Sequence, residues 1–241
     1  MPNSLHGRAA AMAVIALVAS VALAGLAREF LPLSAAFPLK SAVCFAIVGM
    51  IAVGRINRAN HPFAEVGPAN QVTTARAVFV ALIASGIGES SGPAVEAATA
   101  AAAIAVTVMD GVDGRLARRS GMSSAFGARF DMEVDALLIL ILSILAWQYG
   151  KAGAWVMLSG LLRYVFVLAG WVWPWMERPL EPSRRRQAVC VVQVVALIAV
   201  IEPFVPVPIS TAIAGFGLAV LAGSFFVDTR WLVLHRREQV A

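Results

Sequence analysis

The sequence predicts an all-α integral membrane protein with about eight transmembrane helices, six forming a core and two standing ahead of it. Three observations carry that prediction. Of the 241 residues, 60% are hydrophobic and only 14% are charged, against about 25% charged in soluble domains, so most of the surface is expected to face lipid. The apolar residues gather into eight runs, at 9–27, 35–54, 72–88, 93–109, 131–149, 152–173, 188–201 and 208–227, near the ~20 residues that a spanning helix needs. The basic residues are shared unevenly between the connections. With the N-terminus on the cytoplasmic side, fourteen arginines fall inside, and only Arg28, Lys40 and Lys151 fall outside. That asymmetry is the positive-inside pattern.

The first run has a basic start at Arg8 and small residues at Ala22, Ala24 and Ala27, features shared with signal peptides. Its length of about 19 apolar residues exceeds the 7–15 of a signal h-region, so an uncleaved helix is expected. Apart from Lys40 at an edge, runs one and two carry no ionisable residue and read as an N-terminal helix pair over residues 1–60. The segment 55–71 is polar and contains Pro62, Gly67 and Pro68. It reads as a cytoplasmic connection, with a short interfacial helix. Runs three to eight form the candidate core over residues 61–241. Gly92-Pro93 and the stretch 203–208 make turns between them. The seventh run is short and ends at Glu202-Pro203.

Several function classes drop out early. Cys44 and Cys190 both sit inside apolar runs, which argues against a disulfide framework and against a zinc site. The arginines are dispersed over several loops rather than gathered on one folded face, so anionic lipid is the expected partner and nucleic acid is not. His6, His61 and His235 are scattered, and no His-x-Lys pair exists, which argues against a route through a covalent phosphohistidine.

The chemistry concentrates between residues 110 and 135. Asp110 and Asp113 are three apart and share a face if the helix of run four continues through them. Asp131 and Asp135 are four apart and share a face of the next helix. A short loop joins the two, so the four carboxylates can converge at one membrane boundary. Clustered carboxylates repel each other, and charge near hydrocarbon is expensive. Hard divalent cations relieve both, because Mg2+ favours carboxylate oxygen together with substrate phosphate, and two such ions clamp a diphosphate. Gly114 lets backbone approach a phosphate, and Arg118 offers a planar fork of donors. An acidic helix N-cap would explain Asp131 alone but not Asp110 at the end of run four, where a helix C-terminus disfavours negative charge.

The pattern Asp110-x2-Asp113-Gly114-x2-Ala117-Arg118-x8-Gly127-x3-Asp131-x3-Asp135 resembles the signature of the CDP-alcohol phosphotransferase (phosphatidyltransferase) family at every fixed position. Asn70-x2-Thr73-x2-Arg76 resembles the opening of that family's first core helix. The resemblance covers roughly residues 66–230 and leaves the two leading helices outside. It implies a six-helix core, two bound Mg2+ or Mn2+ ions, a CDP-linked lipid donor, an alcohol acceptor and CMP as product. Asp110, Asp113, Asp131 and Asp135 would be metal ligands, with Asp135 also the general base. Gly114, Ala117 and Arg118, with Asn70, Thr73, Arg76 and Gly127, would line the donor site.

Arg163 sits inside the sixth run and is expected to face the bundle interior, toward an acceptor phosphate. Arg184 and Arg186 precede the seventh run, where the family often has basic residues near the acceptor. Cys190 stands where a hydroxyl residue is frequent. The implied activity is phosphatidyl transfer in phospholipid biosynthesis at the inner membrane of a bacterial cell, with the active site facing the cytoplasm and glycerol 3-phosphate favoured as acceptor. A homodimer is common in the family. Two other readings are an intramembrane prenyltransferase, whose acidic motifs lie on well-separated loops, and a divalent-cation transporter, which wants acids at mid-membrane and has no use for Arg118.

Overall fold

The computed structural model describes residues 4–177, 180 and 183–235, apart from the side chains of Arg118 and Glu177. Arg178, Arg236 and Arg237, which enter the charge asymmetry, lie outside the described residues. Among the described residues the structure is all helical: α1 (Leu5–Phe30), α2 (Phe37–Arg55), α3 (Pro68–Ser85), α4 (Pro93–Ser120), α5 (Ala125–Gln148), α6 (Leu158–Val172), α7 (Arg184–Ile201) and α8 (Val207–Leu234). Two 3-10 turns, Ala154–Met157 and Pro174–Glu177, stand before and after α6.

The eight helices match the eight apolar runs, and their boundaries follow local chemistry. Pro68 and Pro93 open α3 and α4, at the first helical position where a missing N–H is harmless. Gly67, before α3, has φ +83, and Gly121, after α4, has φ +65; both conformations strain any residue with a Cβ. Two boundaries differ from the sequence expectation. The helix of run four continues to Ser120, so Asp110 lies in its interior and not at its C-terminus. Helix α5 begins at Ala125, so Asp131 stands well inside the helix and is no N-cap.

Among the described residues, five segments are long and apolar enough to cross a membrane: α1, α2, Pro93–Ala117 of α4, Ala154–Val172 and α8. The chain is an integral membrane protein. Helices α3, α5 and α7 fall outside this set, and each carries a cluster of polar or charged residues: Asn70, Thr73, Thr74 and Arg76 in α3, Arg129, Asp131, Glu133 and Asp135 in α5, and Arg184, Arg185 and Arg186 in α7.

The chain divides into two compact units, Met1–Ile141 and Leu142–Ala241. In the first, α1 and α2 pack on each other and on α3, and α3 packs on α4. The buried hydroxyls of Ser20 and Ser41 meet at 2.5 Å between α1 and α2. At one end, Glu89 accepts from the Ser34 amide at 2.7 Å, the Ser34 hydroxyl at 2.8 Å and Lys40 Nζ at 2.5 Å. Burial pushes the Glu89 carboxyl up, but these donors together outweigh it and hold the group below its ordinary value. At the other end, no helix forms between α2 and α3, contrary to the expected interfacial helix. The connection is a folded loop, in which Asn57 and Asn60 satisfy backbone groups of their own turn.

In the second unit α7 packs on α8. Arg185 donates to the Ser224 carbonyl at 2.9 Å and hydroxyl at 2.7 Å and pairs with Asp228, which Arg186 also reaches at 3.4 Å. Lys151 donates to the Glu202 carbonyl at 2.9 Å, and Ser210 donates to the Lys151 carbonyl at 2.6 Å. Phe166 and Phe225 meet edge to face.

Candidate active site

Because α4 stays helical through the motif, Asp110 and Asp113 do share a face, and Gly114 and Ala117 continue it on the next turn. Asp131 and Asp135 are one turn apart on α5. The structure brings all four carboxylates to one point, and a cation already stands there. Arg76, on α3, is fully buried, at 0% exposure. Its Nη1 lies 3.1 Å from Asp110 Oδ1 and 2.7 Å from Asp113 Oδ2 and pairs with Asp131; its Nη2 pairs with Asp135. An arginine in an apolar helix needs a partner, and this one has four. The guanidinium that the resemblance assigns to the donor site stands among the four carboxylates.

The exposures of the four acids are unequal. Asp113 is 4% exposed and accepts from Thr73 Oγ1 at 3.2 Å as well as from Arg76. The side chains of Asp110, Asp131 and Asp135 are 36, 38 and 25% exposed, so they present oxygen to an incoming ligand. The nearest oxygens of Asp110, Asp113 and Asp131 lie within 4.8 Å of one another. A single Mg2+ places opposed ligands about 4.2 Å apart, so this trio fits a hard divalent cation with small adjustment. Such an ion and the guanidinium compete for the same oxygens. Asp135 stands outside the trio, on Nη2 of Arg76.

The remaining predicted residues separate into those the fold gathers here and those it does not. Asn70 is buried, and its Nδ2 donates to the Val66 carbonyl at 2.6 Å. It packs directly on Gly127, where a Cβ would come within 2.7 Å of Asn70 Oδ1. Gly127 is therefore what lets α5 approach α3. Gly114 and Ala117 are half-exposed; the backbone of Arg118 continues α4, but its side chain lies outside the described residues. Glu133 is exposed and off the aspartate face. Arg163 is half-buried on α6, Arg184 is exposed, and Arg186 is tied to Asp228; these three belong to the second unit.

A model of the CDP-alcohol phosphatidyltransferase family matches residues 66–226, about two thirds of the chain. The chain belongs to that family. No match was found among curated proteins or among solved structures. CDP-alcohol phosphatidyltransferases transfer a phospho-alcohol group from a CDP-alcohol and typically depend on divalent metal, a requirement the aspartate trio fits. The matched segment begins just before α3 and leaves α1, α2 and residues 56–65 of the loop behind them outside. Sequence reasoning missed two contributors near the site. Ser124 lies in the unassigned x8 gap of the motif, and His61 was set aside as scattered; no motif position marks either. It also missed Asp228, the partner of Arg185 and Arg186.

Proposed function

We propose that this protein is a metal-dependent phosphatidyltransferase that moves the phosphatidyl group of CDP-diacylglycerol to an acceptor hydroxyl and releases CMP. The observation that carries the reading is the convergence of Asp110, Asp113, Asp131 and Asp135 on one centre, in a chain of this family. Asp110, Asp113, Asp131 and Asp135 would hold divalent ions, which would supply positive charge for the donor diphosphate and the leaving CMP. Asp135 holds an oxygen where an acceptor hydroxyl can give up its proton. The acceptor oxygen bonds to the phosphorus that bears the lipid alcohol, the bond from that phosphorus to CMP breaks, and the proton passes to Asp135. Gly114, Ala117 and Arg118 line the cytidine diphosphate, with Asn70, Thr73 and Gly127 behind them. Arg163, Arg184 and Arg186 serve a phosphorylated acceptor such as glycerol 3-phosphate.

The direct test offers purified protein CDP-diacylglycerol and a panel of acceptors: glycerol 3-phosphate, serine, inositol phosphate, choline and phosphatidylglycerol. CMP release is expected with one acceptor, to vanish with excess chelator and to return with Mg2+ or Mn2+. Full activity in chelator would remove the role given to the aspartates.

The site is assigned to the cytoplasmic face of a bacterial inner membrane, because the fourteen arginines gather on the side of the aspartate motif. Reporter fusions after Arg58, after Gly150 and at the C-terminus are expected to read inside, outside and inside. An outside reading at the C-terminus rules out the eight-span topology.

A further inference from the structure

Residues 56–65 of the loop between α2 and α3 lie outside the segment that matches the family, yet they hold the start of α5. His61 in that loop is 0% exposed. Its Nε2 lies 2.7 Å from the Glu65 carbonyl and its Nδ1 2.8 Å from Ser124 Oγ. A carbonyl only accepts, so Nε2 carries a proton, and in that tautomer Nδ1 accepts the Ser124 hydroxyl. Ser124 precedes the first residue of α5 and caps it: its Oγ accepts the Gly127 amide at 3.1 Å, and its carbonyl accepts the Ala128 amide at 3.1 Å. The same loop satisfies another free amide of this helix end, since Phe126 N–H donates to the Asn60 carbonyl at 3.1 Å.

Packing reinforces the hydrogen bonds. The His61 ring meets Phe63 and Phe126 edge to face, at 5.4 and 6.0 Å. Phe126 in turn belongs to an apolar cluster with Leu5 and Ala9 of α1, Ile56 after α2, and Val66. The N-terminal pair and its loop thus grip the first turn of α5. Asp131 follows Ser124 by seven positions and Asp135 by eleven. At 1.5 Å rise and 100° per residue, a small turn or slide of α5 at Ser124 carries both carboxylates with it.

We propose that His61 is a positioning residue for the aspartate site: through Ser124 it sets the rotation and height at which α5 presents Asp131 and Asp135. The N-terminal helix pair then contributes to the reactive geometry although it supplies no ligand. This inference rests on the proposed function, in that it takes the aspartates as the metal site.

The test uses the full chain in nanodiscs and Mn2+ alone as probe, with free Mn2+ read by electron paramagnetic resonance and folding read by thermal unfolding. His61→Asn places an amide oxygen near the position of Nδ1 and keeps an acceptor for Ser124. His61→Gln reaches the Glu65 carbonyl instead and loses Ser124. His61→Gln and Ser124→Ala are each expected to weaken Mn2+ binding about tenfold, the lower end of what groups supporting metal ligands contribute. The double variant is expected to be no weaker than either single one, and His61→Asn to bind close to the wild type. Unchanged affinity in His61→Gln overturns the proposal, as does a His61→Asn variant as weak as His61→Gln. Additive losses in the double variant, or affinities that merely follow the melting temperatures, overturn it too. A wild type that binds no Mn2+ sinks the functional reading and this one with it, so the two failures are told apart.

Discussion

Asp135→Asn is expected to lose about 10²-fold or more in turnover, the usual scale of general-base catalysis, while keeping its affinity for the CDP-linked donor. The substitution preserves size and one oxygen that can still ligate, but the amide cannot take up the acceptor's proton. Asp135 is the carboxylate outside the tight trio of Asp110, Asp113 and Asp131, and it lies one turn further along α5 than Asp131. Its position is that of a group beside the cation site rather than at its heart. A bound metal lowers basicity, but a base and a reactant held in contact meet at high effective concentration, which offsets a weak base. Asp110→Ala is expected to behave differently and to lose donor binding along with turnover, because it opens the trio. Donor binding and single-turnover CMP release in nanodiscs separate the two variants. A near-wild-type rate in Asp135→Asn would place the base elsewhere.

The second large effect belongs to Arg76. Arg76→Ala removes the only cation that the described residues place among the four carboxylates, and Asp113 is nearly fully buried. Breaking a buried ion pair from one side costs about 3–5 kcal/mol, since the remaining charge is left uncompensated. Metal-free Arg76→Ala is therefore expected to unfold well below the wild type. Mn2+ takes the same oxygens that the guanidinium held, so it is expected to stabilise the variant more than the wild type, by the mass-action gain of a ligand that binds only the folded state. Thermal unfolding across a Mn2+ titration reads both halves. An equal deficit with and without Mn2+ would mean that Arg76 supports the fold independently of the cation site.

Much of this was legible in the sequence, for reasons that can be stated residue by residue. Carboxylates in apolar surroundings are conspicuous, so Asp110, Asp113, Asp131 and Asp135 stood out, and helical spacing put each pair on a face. The apolar runs gave eight helices because their length is set by the bilayer. The ends of the helices were less legible. Asp110 looked terminal because hydropathy falls there, but a fall in hydropathy marks the end of an apolar face and not of the helix, and α4 ran on to Ser120. The direction of Arg76 was not legible at all, since residues 70, 73 and 76 share a face whichever partner that face meets. His61 and Ser124, 63 positions apart in the chain, are joined by a single hydrogen bond, and neither type at its position is unusual in a polar loop. Asp228 escaped for a similar reason: its pairing with Arg185 is tertiary and leaves no periodic trace.

The polar clusters on α3, α5 and α7 have a consequence for how the chain is made. Helices α3, α5 and α7 carry polar clusters in their first halves, and each is followed by a segment long and apolar enough to span, in α4, α6 or α8, across the connections 86–92, 149–157 and 202–206. Charge in a spanning helix disfavours insertion, by about 2.5–3.5 kcal/mol at the helix centre and less toward its ends, so the charged first halves of α5 and α7 add to the cost of inserting them. Delivered as a hairpin, each such helix shares the free energy of its successor's entry into lipid. Biogenesis of the protein would then proceed in two-helix steps. The alanine-rich face of α4 and the tryptophan-bearing α6 would matter for assembly before any substrate has been met.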